Sequence, residues 1–170
     1  MPVAKKSALI PTKILVPVDF SPSSHLALEQ AAAYAQQFAA EIHLVHVIPM
    51  FPSTKVWDFI PETEFIQETT KKAEASFAAC QADLTAMGVR LSWSVHVASD
   101  VVAAILDVIK RERIGLLIVS THGITGWHPL AFGSIAEKLV KLASIPVLLV
   151  RTPDPASKTK AGSGRLKKRW

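Results

Sequence analysis

Residues 114–151 read IGLLIVSTHG ITGWHPLAFG SIAEKLVKLA SIPVLLVR, and the fold turns on them. Ile114 to Val119 is an apolar run of strand length that stops at Ser120. Thr121 to Phe132 carries Gly123 and Gly126 and reads as a loop. Ser134 to Ala143 places Ile135, Leu139 and Leu142 at helical spacing. Ile145 to Val150 is a second short apolar run, and Pro153 and Pro155 discourage its continuation. A strand, loop, helix and strand in this order form a parallel pair joined by a right-handed crossover.

The same alternation extends toward the N-terminus. Val89 to Val97 sets Val89, Leu91, Trp93, Val95 and Val97 against Arg90, Ser92, Ser94 and His96. That period of two predicts a strand with one wetter face, near a sheet edge. Ser99-Asp100 caps a helix through Arg113 whose apolar positions are Val102, Ile105, Leu106 and Ile109. Glu62 to Met87 is polar-rich and helical, closed by Gly88. Pro49, Pro52 and Pro61 mark a loop with Trp57 and Phe59, and Ile42 to Ile48 is a strand. Lys13 to Val18 is the first strand, with Pro17 tolerable only near its end because proline has no N–H for a ladder. Asp19 to Ser24 is a cluster of capping residues before a helix over Leu26–Ala40, whose core face is Leu28, Ala31, Ala32, Ala35 and Phe38. Five strands alternating with four helices predict an α/β fold, an open parallel sheet with helices on both faces.

The chain has 170 residues, enough for one domain with a sizeable core. No apolar run approaches the ~20 residues that cross a bilayer. Met1 to Pro11 lacks a long apolar segment and reads without a signal peptide, so a cytoplasmic home is expected. Cys80 is the only cysteine; it lies among alanines on a helix and reads as a small buried residue. Residues 151–170 carry seven basic residues against Asp154, a net +6 that leaves −1 for residues 1–150 of the chain's +5. The organisation expected is a leader over 1–12, one domain over 13–152, and a disordered basic tail over 153–170. The tail could touch nucleic acid or an anionic membrane, but a solvated, solubilising end is the favoured reading of its composition.

In an open parallel sheet, ligands sit beyond the carboxyl ends of the strands where the winding reverses. The loops after the first and fourth strands are therefore the ones to inspect. Gly123 and Gly126 free backbone amides to face an anion, and Gly133-Ser134 opens a helix whose N–H groups and dipole favour phosphate. A plain strand–helix turn also uses glycine. The residues of a P-loop, G-x4-G-K-[ST], are absent, as is a G-x-S-x-G elbow. His43, His46, His96, His122 and His128 raise a metal reading, but His43 and His46 point to opposite faces of a strand and no cysteine or acid has zinc-site spacing.

The spacing Gly123, nine residues, Gly133-Ser134 resembles the nucleotide loop of the universal stress protein family, G-x2-G-x9-G-[ST], with Ser120 where that family has its first glycine. Ile14-Leu-Val-Pro-Val-Asp-Phe-Ser21, His43-Leu-Val-His-Val-Ile48 and Ile145-Pro-Val-Leu-Leu-Val-Arg151 resemble its first, second and closing strands. The similarity covers about residues 12–152. It implies a Rossmann-like, five-stranded parallel sheet of order 3-2-1-4-5. It also implies a site for ATP, or AMP, with Mg or Mn carried by the triphosphate. By that resemblance Pro17, Val18, Asp19 and Val47 serve the adenosine end. Val119, Ser120 and Gly123 lie under the ribose and phosphates, and Gly133, Ser134, Ile135 and Ala136 contact the phosphate chain. Asp19 has a second reading as a helix cap.

The resemblance further implies a homodimer through the last strand, Val147 to Val150, and a regulatory role in the stress response with an unknown protein partner. With no strong base or arginine finger in the loops, little or no catalysis is expected. A slow ATPase, a nucleotidyl transferase or a dimeric scaffold without nucleotide are the competing readings.

Overall fold

The computed structural model describes residues 10–50, 62–121 and 133–151. Gly123, Trp127, Pro129, the Trp57 and Phe59 loop and the basic tail lie outside the described residues. The elements are β1 (Lys13–Pro17), α1 (Pro22–Phe38), β2 (Glu41–Pro49), α2 (Glu62–Ala86), β3 (Leu91–Ala98), α3 (Val101–Arg111), β4 (Leu116–Ser120), α4 (Ser134–Leu142) and β5 (Val147–Val150). Every strand pairing is parallel, and the order is β3-β2-β1-β4-β5, as expected.

Local chemistry sets the boundaries. Ser21 caps α1 by accepting the Ser24 N–H at 3.2 Å, and Pro22 takes the first helical position, where a missing N–H costs nothing. The helix therefore starts earlier than the expected Leu26. It ends on Ala39 in the left-handed region, whose successor Ala40 donates to Ala35 O at 2.9 Å. Gly88, at φ 75°, closes α2 while Val89 N–H returns to Leu84 O, a glycine-dependent C-terminal stop. Asp100 caps α3 through the Ala103 N–H at 3.0 Å. Strand β4 begins at Leu116 rather than Ile114, because the Ile114 amide is held by Ile109 O at the end of α3. Strand β5 begins at Val147, after Pro146.

Strand alternation divides the core into two layers. Ile14, Val16, Val18, Leu44 and Ile118 pack with α1 and α2, around Leu28, Ala31, Phe77 and Leu84. Leu15, Val45, Val47, Leu117 and Val119 pack with α3 and α4, around Ile105, Ile109, Ala136 and Leu139. Cys80 is buried in the first layer.

Three expected core positions are corrected. Phe38 is 36% exposed, since the helix ends there and its ring rests on Tyr34 at 5.9 Å instead of the sheet. On α4, Ile135 and Leu142 are 41% and 60% exposed. The buried stripe is Ala136 and Leu139, continued by the partly buried Ala143, and it lies one residue around the helix from the expected one. No described helix is long and apolar enough to cross a membrane.

Candidate functional site

The backbone of β1 explains why a crevice opens at the centre of the sheet. Gly115 N–H donates to Lys13 O and Glu41 N–H donates to Thr12 O, each at 2.9 Å. Odd residues of β1 thus turn their amide groups toward β4 and even ones toward β2, and Val18 N–H keeps the pattern by donating to Val45 O at 2.8 Å. Pro17 is the odd residue at the end, and it has no N–H to give. The β1–β4 register stops at Leu15↔Leu117. The pairings to the outer neighbours run on, to Pro17↔Val45 and to Ser120↔Val150. Past Leu15 and Leu117 the two central strands are tied outward and not to each other, so the sheet parts at the reversal of winding.

On the β1 side of the parting, the Asp19 Oδ1 accepts the Ser21 N–H at 3.0 Å in an Asx turn. Phe20 between them has φ 62°, a conformation costing a bulky L-residue about 1–2 kcal/mol. Its ring lies 4.7 Å from the His46 ring and 5.6 Å from Phe77. The His46 Nδ1 is 2.7 Å from Val18 O. Since a carbonyl only accepts, Nδ1 carries the proton. Burial pushes the His46 pKa below its ordinary 6.5, opposed by the Val18 carbonyl and by the field of Asp19.

On the β4 side, Ser120 ends the strand paired with Val150 and is not among the residues with positive φ. Extended backbone suits serine there as well as glycine. Thr121 is buried, donates its N–H to Val150 O at 3.0 Å, and accepts the Gly133 N–H at 2.7 Å. It thereby fixes the start of α4 against the end of β4, a role the sequence reading missed. Gly133 caps α4 without any side-chain hydrogen bond, while Glu137 N–H returns to Gly133 O. The Ser134, Ile135 and Ala136 amides precede the first intrahelical donor and have no helical acceptor. Together with the dipole they present a positive end.

The expected site residues divide accordingly. Val47, Val119 and Ala136 share the α3–α4 layer, with Pro17 above them at the end of β1. Ser134 and Ile135 are exposed at the mouth. Ala136 is buried, so it has only its backbone to offer. The Val18 side chain belongs to the opposite layer, and its N–H and C=O are engaged by Val45 and His46. Gly123 lies outside the described residues.

A second polar constellation lies across β2 and β3 on the α3 side. Ser92 Oγ donates to Glu41 Oε1 at 2.7 Å. Its single proton is thus committed, and toward His43 Nδ1, 2.9 Å away, it accepts. His43 Nε2 is 3.0 Å from Ser94 Oγ, and Ser94 Oγ is 3.0 Å from His96 Nε2. Burial lowers the His43 pKa, helped by Lys13 and His96 and opposed by Glu112 and Glu41, so the ring is neutral. Its Nε2 then accepts from Ser94, and Ser94 accepts from His96 Nε2–H. Every proton in the chain points the same way, from His96 to Glu41. The Ser92 hydroxyl holds the Glu41 carboxyl below its usual range against desolvation, with Lys13 and Arg90 adding to the effect. Lys13 Nζ reaches Glu41 at 3.6 Å and Glu112 at 2.7 Å. Among the described residues, no three His, Cys, Asp or Glu gather as a metal-binding group.

Comparison with known proteins agrees with this geometry. "Universal stress protein A homolog 1" of Coxiella burnetii is 31% identical over 139 residues, 81% of this chain and 94% of that protein. The solved structure of protein MJ0577 of Methanocaldococcus jannaschii superposes with a TM-score of 0.75 at 27% identity, over 86% of this chain and 99% of the other. Two structures share the fold at lower identity. One is a universal stress protein in complex with cAMP, at 21% identity and TM-score 0.59, covering 85% of this chain and 99% of that one. The other, from Archaeoglobus fulgidus, is in complex with dAMP, at 18% identity and TM-score 0.58, covering 83% and 98%. Residues 11–151 match the description of the Universal stress protein family, Usp, and the chain belongs to that family.

Proposed function

We propose that this protein binds an adenine nucleotide, ATP or AMP, in the crevice between β1 and β4, and that occupancy rather than turnover makes it a regulator in the stress response. The observation that carries the reading is the parting of the central strands beyond Leu15 and Leu117, with the Asp19 turn on one side and the uncapped start of α4 on the other. Pro17, Asp19 and Val47 take the nucleoside end. Backbone amides of Ser134, Ile135 and Ala136 and the Ser134 hydroxyl take the phosphates, with Val119, Ser120 and Gly123 beneath. A divalent Mg or Mn ion rides on the triphosphate. The cAMP and dAMP complexes of proteins with this fold support the ligand class.

The protein acts as a homodimer through β5, the sheet's edge strand, beside which α4 exposes Ile135, Val140 and Leu142. An edge of this kind needs covering. Its regulatory partner is a protein, and any contact with nucleic acid runs through the basic tail.

Mass spectrometry of the denatured purified protein tests the ligand by detecting ATP or AMP that co-purifies. Millimolar ATP with Mg²⁺ should stabilise the fold by roughly 2.7 kcal/mol at a hundredfold excess over Kd, and Asp19→Ala and Ser134→Ala should each reduce that gain. The reading fails if neither nucleotide co-purifies and ATP leaves the melting temperature unchanged.

A further inference from the structure

We infer that His46 is the residue that positions the Asp19 turn for the nucleoside end of the ligand, acting through the Val18 carbonyl and the Phe20 ring. The inference rests on the nucleotide reading above for its ligand, and on geometry for everything else.

Asp19 follows a strand end that β4 does not hold, because the β1–β4 ladder has already stopped at Leu15↔Leu117. A turn hanging from such an end would sample several conformations. His46 stands on β2, 28 residues after Val18, and supplies two restraints. Its Nδ1–H grips Val18 O at 2.7 Å, immediately before Asp19. Its ring packs at 4.7 Å on Phe20, immediately after Asp19. Phe20 is held at φ 62°, which an L-residue adopts only when its surroundings impose it. The surroundings here are the His46 and Phe77 rings. The strained residue turns the Ser21 N–H back onto Asp19 Oδ1 at 3.0 Å, and Ser21 in turn caps α1.

His46 does this from below the site. Strand alternation puts it on the α1–α2 side of β2, while its neighbour Val47 lies in the α3–α4 layer with Val119 and Ala136. The ring works through the backbone of Val18 and does not line the nucleoside end. Among the described residues, no group of three His, Cys, Asp or Glu forms around this histidine to hold a metal.

The test uses the full chain with His46→Asn and His46→Leu. Asparagine keeps an N–H donor near the position of Nδ1; leucine keeps bulk and loses the donor. Two quantities are read: hydrogen exchange of the Ser21 amide without nucleotide, and calorimetric Kd for ATP with Mg²⁺. Loss of one hydrogen bond to a buried carbonyl corresponds to about tenfold in an equilibrium. His46→Leu should therefore speed Ser21 exchange about tenfold, leave the Ile118 amide in β4 unchanged, and weaken ATP about tenfold. His46→Asn, which keeps the donor but loses the ring on Phe20, should fall between the wild type and His46→Leu on both. Wild-type values in His46→Leu overturn the inference, as does an Asn variant as impaired as the Leu variant. If His46→Leu does not fold, ¹⁵N spectra of the wild-type ring decide the matter, since an Nε2–H tautomer overturns the assignment and an Nδ1–H tautomer sustains it. If the wild type binds no nucleotide, the functional proposal falls, while Ser21 exchange still judges the positioning role.

Discussion

Replacing Ser94 by alanine strikes the one hydroxyl that joins the two histidines of the β2–β3 chain. Ser94 Oγ lies 3.0 Å from His43 Nε2 and 3.0 Å from His96 Nε2. His43 is only 4% exposed, so its Nε2 loses a donor that water does not easily replace. An unsatisfied buried acceptor costs about 1–3 kcal/mol. His96 is partly exposed and recovers its bond from solvent. The expected loss is about 2 kcal/mol at pH 7.5, or roughly 4–8 °C in Tm for a chain of this size.

The loss should depend on pH. Burial holds the His43 pKa below 6.5, with Lys13 and His96 lowering it further and Glu112 and Glu41 raising it. Below about 6.5 the unfolded chain takes up a proton that the folded ring refuses. The unfolded state then binds more protons, and stability falls as the pH falls toward the folded value. Ser94 donates only to the neutral ring, so its removal should cost most above pH 6.5 and less near pH 5. Urea denaturation of both proteins from pH 5 to 8 measures this. A loss under ~0.5 kcal/mol at pH 7.5, or a larger loss at pH 5 than at pH 8, would falsify the directional chain.

Other outcomes follow from single positions. Gly88→Ala should destabilise by about 1 kcal/mol without a steric clash, because φ is 75° and nothing lies within 4 Å of an added Cβ; thermal denaturation reads it, and an unchanged Tm contradicts it. Phe77→Ala removes a fully buried ring that also supports Phe20, so about 3–5 kcal/mol should disappear in a urea titration. The Glu41 carboxylate contributes stability above 4.5 that is lost as pH falls through its lowered folded value. Glu41→Gln should therefore flatten the acid limb of a stability–pH curve. Sedimentation velocity at micromolar concentration should show a dimer; a monomer across that range removes the β5 proposal.

The elements most legible in the sequence were those set by local chemistry. Pro17 was readable as a strand end because proline cannot donate, and that same deficit faces β4 and helps open the crevice. Gly88 was readable as a helix stop, and Asp100 as a cap. The alternation of Ser92, Ser94 and His96 showed a wet strand face. Its connection to His43 was hidden, since it depends on the register His43↔Ser92 between strands separated by a 25-residue helix. The role of His46 was hidden as well, because its partner is a backbone carbonyl, which no residue type announces. Phe20 carries a positive φ without being glycine or asparagine, so nothing in its identity foretold the bend. Phe38 obeyed helical spacing yet lies at a helix end, where a core-facing angle no longer meets the sheet, and Leu142 lies one residue off the stripe that α4 buries.

Ser120 is where the chain departs from its family's loop, and the structure turns that departure into a measurable question. Two demands could require glycine at this position: a positive φ, or room for a ligand beside the Cα. The first does not apply, since Ser120 ends β4 paired with Val150 and has no positive φ. For the second, strand alternation sends its side chain to the side opposite Val119, whereas Val119, Val47 and Ala136 share the α3–α4 layer. A hydroxymethyl group on that side should not stand between a nucleotide and the α4 amides. Ser120→Gly should therefore leave the Kd for ATP within about twofold. It should also lower stability by about 0.5–1 kcal/mol, because glycine in a strand loses more backbone freedom on folding. Calorimetric titration beside urea denaturation separates the two effects. A tenfold tightening of ATP in Ser120→Gly would show that the serine obstructs the site, and the side-chain placement argued from alternation would be wrong.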